Sequence, residues 1–383
     1  MDESPKKNMR GRRRLIRIVC SFLSLAALTY IAVTIISGRT LTFFGIFGNP
    51  NDGGLIDLAD EFHFNVGRSR VFADMDGSLA AVGTLGIQVL DAGGTETLRD
   101  SFRITTPAIY ANEGQAVAFD VGGNSVRVFD KTGVKASIET DGPVVSAVIN
   151  RNGWFAVCTQ EAAVSKGLVT VYNNTGRAVY RVNFVTGYVL FAALSPDNSS
   201  VAILNLTDEG SRISFYNLNS EDLDRVFELP GGLIIDARHM QSGEMLAISM
   251  SSAFLVDRNN QKNEIYAFGG SYLGGYALDG DFIALYLLDY NVGHSGRLIT
   301  FDERGRLLGE IETDREIISM SAVSGYLAVL RSDGLIFYDR ELEELPVSGE
   351  AVSTAGAVWV VAIGKGVALV AGDNSAVTFR TEN

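Results

Sequence analysis

Eight copies of one unit, each with an apolar strand signal built around an alanine and seven with a strand ending on Asp or Asn, predict an all-β chain folded as an eight-bladed β-propeller. A basic stretch and an uncharged apolar run ahead of the repeats predict one amino-terminal transmembrane helix. The layout read from the sequence is a basic cytoplasmic tail (1–17), a transmembrane helix (18–36), a juxtamembrane linker (37–59) and a propeller ectodomain (60–383).

The repeat is clearest in endings such as "VRVFDKTG", "VTVYNNTG" and "RLITFDERG". They centre on Asp91, Asp130, Asn173, Asn217, Asp257, Asp302, Asp339 and Arg380, with gaps of 39, 43, 44, 40, 45, 37 and 41 residues. That spacing is the length of a four-stranded propeller blade. An Asp or Asn there can accept backbone N–H bonds in an Asx turn, and a following Gly can take the left-handed conformation. In step with these endings run the apolar segments "LAAVGT", "AVAFDV", "WFAVCT", "VAILNL", "LAISM", "IALYLL", "LAVLRS" and "VALVAG". Their aligned alanines are Ala81, Ala118, Ala156, Ala202, Ala247, Ala284, Ala328 and Ala368. A small side chain at every copy suits strands pressed between neighbouring sheets. A hairpin signal of Asp, Asn or Gly precedes each segment, from "DMDGS" to "GKG". Each unit therefore reads strand, tight turn, strand, variable loop, strand, turn, strand.

The eighth unit ends at "VTFRTEN", with no sequence left for a fourth strand. "DEFHFNV" alternates Phe62, Phe64 and Val66 with polar residues and is the natural missing strand. Pairing it with the last blade closes the ring and removes an exposed edge. Seven blades with one irregular unit is the alternative.

Seven Lys and Arg fall within the first 17 residues, and Ile18 to Ile36 runs without a charge. At 1.5 Å per residue this run reaches roughly 28 Å, close to the thickness of a bilayer's hydrocarbon core. The basic flank places the amino terminus in the cytoplasm and the propeller outside the cytoplasmic membrane. A cleaved signal peptide would have a shorter apolar region and a small-residue cleavage motif. Residues 1–39 hold eight of the 32 Lys and Arg and two of the 45 Asp and Glu, leaving 24 and 43, a net −19, beyond them. Such acidity excludes a nucleic-acid partner and suits cations or basic protein surfaces. The two cysteines, Cys20 in the apolar run and Cys158 in a strand signal, are not expected to pair.

The repeats resemble the β-propeller superfamily, and "LSPDNSSVAIL" resembles the SPDG hairpin of WD40-like and periplasmic propellers. The count of eight is similar to quinoprotein-type rings, and with its anchor the chain resembles a bacterial family of membrane-anchored propellers. The resemblance covers about residues 60–383 and implies architecture. The chain departs from the quinone-dependent enzymes, whose repeated tryptophan motif has no counterpart among Trp154 and Trp359. It also lacks the Gly-His and Trp-Asp signatures of WD40 blades.

His63, His239 and His294 lack metal-site spacing and read as surface or turn residues, and there is no nucleophile elbow, P-loop or dinucleotide fingerprint. No cofactor is expected. Calcium is the one metal that the acidic turns Asp74-Met75-Asp76-Gly77 and Asp279-Gly280-Asp281 bring to mind, although the rest of an EF-hand loop is missing. The long loop around "LYLLDYNVGHSG" offers Tyr286, Asp289, Tyr290 and His294 as a rim recognition patch. The expected function is a binding or scaffolding module for an envelope protein or ligand. The alternative is a glycan-acting hydrolase or lyase with carboxylates in the funnel.

Overall fold

The computed structural model describes residues 61–381, apart from 92, 161–165, 221, 241, 281 and 347–355. The expected tail, transmembrane helix and linker lie outside the described residues, among which no helix is long and apolar enough to cross a membrane. Eight four-stranded antiparallel sheets follow one another. Seven are continuous in sequence: blade 1 (71–101), blade 2 (107–139), blade 3 (144–184), blade 4 (188–230), blade 5 (234–267), blade 6 (272–313) and blade 7 (317–345). Blade 8 takes three strands from 359–380 and its fourth from Glu61–His63. The innermost strands of neighbouring blades touch around the ring, and that of blade 8 meets that of blade 1.

The closing strand pairs Glu61, Phe62 and His63 with Val377, Ala376 and Ser375. It is shorter than the alternating pattern implies, yet the pattern's apolar face stays buried: Phe62, Phe64 and Val66 all sit in the core between blades 8 and 1. Phe64 meets Phe72 edge to face, with ring centroids 5.2 Å apart. The eight sheets exclude the seven-bladed alternative.

All eight aligned alanines lie in the second strand of their blade and are buried. In four blades the residue paired across the third strand is Phe, as in Ala202 with Phe215, Ala247 with Phe254, Ala328 with Phe337 and Ala368 with Phe379. A small residue beside a large one lets successive sheets interlock at interior packing density. Cys158 is one of these core residues, and burial pushes its thiol up to about 12, so it is an inert hydrophobe.

The seven expected Asx turns are present. Oδ1 of Asp91, Asp130, Asn173, Asn217, Asp257, Asp302 and Asp339 accepts a backbone N–H from two residues further along. Gly94, Gly176 and Gly305 then take the left-handed conformation, and Leu342 takes it without the freedom of a glycine.

Antiparallel connectivity gives the ring two unlike faces. A turn face carries the hairpins between first and second strands and the turns between third and fourth; a loop face carries the second-to-third hairpins and the links between blades.

Phe64→Ala should lower stability by about 3 kcal/mol by opening a cavity at the closure, measured as a fall in Tm. Asp302→Ala leaves the N–H groups of Arg304 and Arg306 without their acceptor and breaks the 2.6 Å pair with the Arg306 guanidinium. It should cost about 1–3 kcal/mol at neutral pH. Burial raises the Asp302 pKa, but the Arg306 amide and guanidinium and the Arg304 amide outweigh it and hold the carboxyl low. The difference in stability should therefore shrink as pH falls below the ordinary carboxylate range.

Candidate functional site: the central channel

The innermost strands of all eight blades line a central cavity of about 510 Å³ that reaches the hairpins of the turn face. Most of the residues that line it are apolar, as sheets packed shoulder to shoulder require, but polar and apolar atoms share its open surface about equally. Blade 5 breaks the pattern with Asp236-Ala237-Arg238-His239, all in its innermost strand. Asp236 directly follows a shift of register, as Ser146 and Ser319 follow theirs in blades 3 and 7. Those serines bind the backbone of the next blade, Ser146 donating to Leu190 and Ser319 accepting from Val360. Asp236 instead accepts from Nε of Arg238 at 3.2 Å.

The pairing of first and second strands sets the level of each channel residue. Ala237, Ile109 and Ala277 all face the alanine of their second strand. Asp236 therefore stands level with Tyr276 of the next blade, and Arg238 level with Tyr110 of blade 2. Arg238 crosses the channel to lie 5.6 Å from the centroid of the Tyr110 ring.

Asp236 is only 2% exposed, whereas the Arg238 side chain keeps 34%, opening into the channel. Burial opposes the guanidinium's charge, but the Asp236 carboxylate, with help from the phenols of Tyr110 and Tyr276, raises the Arg238 pKa above its ordinary value. Burial and then the Asp236 charge push the Tyr276 phenol well up, so it is a neutral hydroxyl. Oδ1 of Asp236 and the Tyr276 hydroxyl are both buried without a partner in hydrogen-bonding geometry. His239 is half-buried at the channel wall, not at a surface turn, and burial lowers its pKa to about 4, leaving it neutral.

The mouth is acidic. Asp74, Glu113 and Asp279 line it, with Arg151 as a counter-charge. Asp74 accepts from the amide of Gly77 at 3.0 Å, but burial, with the nearby Asp76 and Asp279 carboxylates, raises its pKa to about 6. The two calcium-like turns thus approach one another; Asp281 lies outside the described residues, among which no group of three or more His, Cys, Asp or Glu is placed to hold a metal.

The loop of blade 6 brings its four singled-out residues into one hairpin with unlike roles. Tyr286 is buried in the core, and its hydroxyl donates to the carbonyl of His294 at 3.2 Å. Asp289 accepts from Ser295 at 2.7 Å and so pins the base of the loop. The His294 ring lies 4.0 Å from the Glu316 carboxylate, and Tyr290 is 69% exposed. The channel residues Tyr110, Asp236, Arg238 and Tyr276 escape motif reading. The one signal for them is "IIDARHM", in which both signs of charge interrupt an inner-strand segment that is apolar in neighbouring blades.

Asp74 carries a pH prediction. Its folded pKa lies above the ordinary carboxyl value, so its favourable contribution is complete at low pH and is lost as pH rises through about 6. Asp74→Asn should stabilise the protein by on the order of 2 kcal/mol near pH 8 and lose that advantage towards pH 4, read from paired melting curves.

No curated protein matches the chain. Solved structures share its architecture at low identity. The C-terminal WD40 domain of Sif2 is 14% identical with a TM-score of 0.56, covering 86% of this chain and 97% of that one. Saccharomyces cerevisiae Sqt1 is 12% identical with a TM-score of 0.57, covering 84% and 98%. The quinohemoprotein alcohol dehydrogenase ADHIIG from Pseudomonas putida HK5 is 12% identical with a TM-score of 0.52, covering 85% and 76%. At these identities the likeness establishes the propeller fold, and WD40 and quinoprotein rings share it. The stretch from the closing strand to the end of blade 5, residues 60–268, also matches a family profile, and by that match the chain belongs to the family of unknown function DUF5711.

Proposed function

We propose that the chain is a membrane-anchored binding module whose ring stands outside the cytoplasmic membrane and presents its loop face to an envelope protein. One observation carries this reading: of the ten large apolar side chains exposed among the described residues, six lie on that face, including the four most exposed. Leu85, Val185, Met250, Tyr272, Tyr290 and Val292 all lie in its hairpins or at its blade links, and Val292 is 89% exposed. Among the described residues the other exposed ones, Val134, Val179, Leu223 and Leu307, stand at the first or second position of outermost strands, on the circumference beside the turn face. Exposed apolar groups gathered on one surface are a mark of protein association. The basic tail and uncharged run of residues 1–36 support the anchor, and Glu61 opens the outermost strand of blade 8, so the tether meets the ring at its circumference. Anchoring confines the ring to the plane of the membrane and raises its effective concentration towards membrane-bound partners.

A glycan-acting hydrolase or lyase is the second reading, favoured by Asp74. A carboxyl with a pKa of about 6 that shares the channel mouth with a second carboxylate, Asp279, supplies the two carboxyl groups that glycoside cleavage uses.

Cross-linking the full-length protein in intact cells with a membrane-impermeant reagent should join the loop face to one stoichiometric partner. Tyr290→Asp combined with Val292→Asp should abolish that product without changing Tm, while a charge reversal on the turn face, Arg177→Asp, should leave it intact. Cross-links arising only from the turn face, or a product unaffected by the double substitution, would contradict the reading.

A further inference from the structure

We propose that the central channel is a binding site for a neutral saccharide of one or two rings, held by Arg238 and Tyr110. The proposal rests on neither functional reading above, since the channel opens on the turn face and binding requires no bond cleavage.

The throat offers hydrogen-bond donors, and the mouth offers carboxylate acceptors. Arg238 uses Nε on Asp236, while its two terminal nitrogens have no hydrogen-bond partner among the described residues. Asp236, almost fully buried, turns its other oxygen to the buried Tyr276 hydroxyl, outside ideal hydrogen-bonding geometry. Asp236 fixes the guanidinium from behind through Nε and is a positioning residue, with Tyr276 packed beside the carboxylate. Arg238 itself reaches into the cavity.

Charge selects the class of ligand. Asp236 already compensates Arg238, so an anion gains little net attraction at the throat and must pass Asp74, Glu113 and Asp279 at the mouth. A cation is drawn to the mouth but meets a guanidinium inside. The complementary ligand is uncharged and carries oxygen acceptors for the Arg238 terminal nitrogens, with O–H donors for the mouth carboxylates. Sugar hydroxyls supply both.

The walls supply the remaining requirement. Tyr110 and Trp359, both partly exposed, line the same cavity as Arg238, while Phe72 and Phe191 lie almost wholly buried behind its surface. A pyranose presents a C–H face to an aromatic ring and hydroxyls at its edge, which suits a surface shared about equally by apolar and polar groups. The 510 Å³ volume fits one or two such rings.

The test is calorimetric titration of the full-length protein in detergent with glucose, N-acetylglucosamine, cellobiose and N,N′-diacetylchitobiose, against glucuronate and putrescine. The expected result is saturation by at least one neutral sugar with a Kd below about 1 mM, and binding of both charged comparators about tenfold weaker or more. Tyr110→Leu should weaken the sugar about tenfold or more, as should the charge-neutral pair Asp236→Asn with Arg238→Gln, each at an unchanged melting temperature. Tyr110→Leu leaves the ion pair whole and decides the matter if the double variant fails to fold. Failure of all four sugars to saturate by about 10 mM, tighter binding of a charged comparator, or full affinity in folded Tyr110→Leu would each overturn the proposal.

Discussion

The three-residue pairing of Glu61–His63 with the last strand of the chain is the constraint on which the ring depends. A sheet of four strands presents an unpaired edge at the circumference, and a stack of such sheets presents two open faces unless its ends meet. Here the ends meet in blade 8, and the apolar cluster around Phe62, Phe64, Phe72 and Leu369 fills the seam between last and first blades. One short backbone ladder would be a weak clasp in isolation. The burial of aromatic side chains on either side of the closing strand makes the join part of the core. Closure also creates the channel, because eight inner strands surround a space only when the eighth is brought beside the first.

The architecture was legible in the sequence because its determinants are local and repeated. An Asx turn is decided by an Asp or Asn and the few amides that follow it; a tight hairpin by an Asp-Gly or Asn-Gly; the inter-sheet fit by one alanine in each second strand. Each signal recurs in nearly every unit, so a single weak instance, such as Arg380 in place of the acid, does not obscure the rest. Even the closing strand was visible, because alternation of Phe62, Phe64 and Val66 survives where the backbone ladder stops. The channel site was not legible, since it depends on level and not on neighbourhood. Tyr110 and Arg238 belong to blades 2 and 5 and meet only because both stand one residue beyond the position facing the alanine of their second strand. Nothing in the sequence around either residue announces the other. The blade 6 loop shows the opposite difficulty. Its residues are adjacent in sequence, but Tyr286 turns inward and Asp289 serves the hairpin, so proximity alone overstated how much of the loop faces outward.

The two faces of the ring differ for a physical reason. On the turn face, Asp and Asn side chains consume the backbone donors of each turn between third and fourth strands, so seven of these turns are internally satisfied. The loop face has no such uniform chemistry, and its hairpins vary in length and composition from Gly83–Gly86 in blade 1 to the excursion between Leu288 and Gly296 in blade 6. Sequence is thus freest to change where the exposed apolar residues are found, while the scaffold beneath remains the same.

The buried charges of blade 5 have no such structural explanation. At the level of Asp236 the inner strands of blades 3 and 4 carry Ala147 and Ala192, and at the level of Arg238 they carry Ile149 and Leu194. The fold therefore accommodates apolar residues at both levels with no loss of continuity in the ring. Moving a carboxylate and a guanidinium out of water costs several kcal/mol for each ion, and a buried pair rarely exceeds well-packed apolar replacements in stability. Asp236 has only an imperfectly aligned partner, the Tyr276 hydroxyl, for its second oxygen, whereas Ser146 and Ser319 bind the backbone of the adjacent blade in good geometry. A group that is expensive for folding, dispensable for the architecture and aimed through its partner into a cavity is accounted for by what enters the cavity. The cost is offset when a ligand accepts from the terminal nitrogens of Arg238, because binding to the folded ring alone stabilises it.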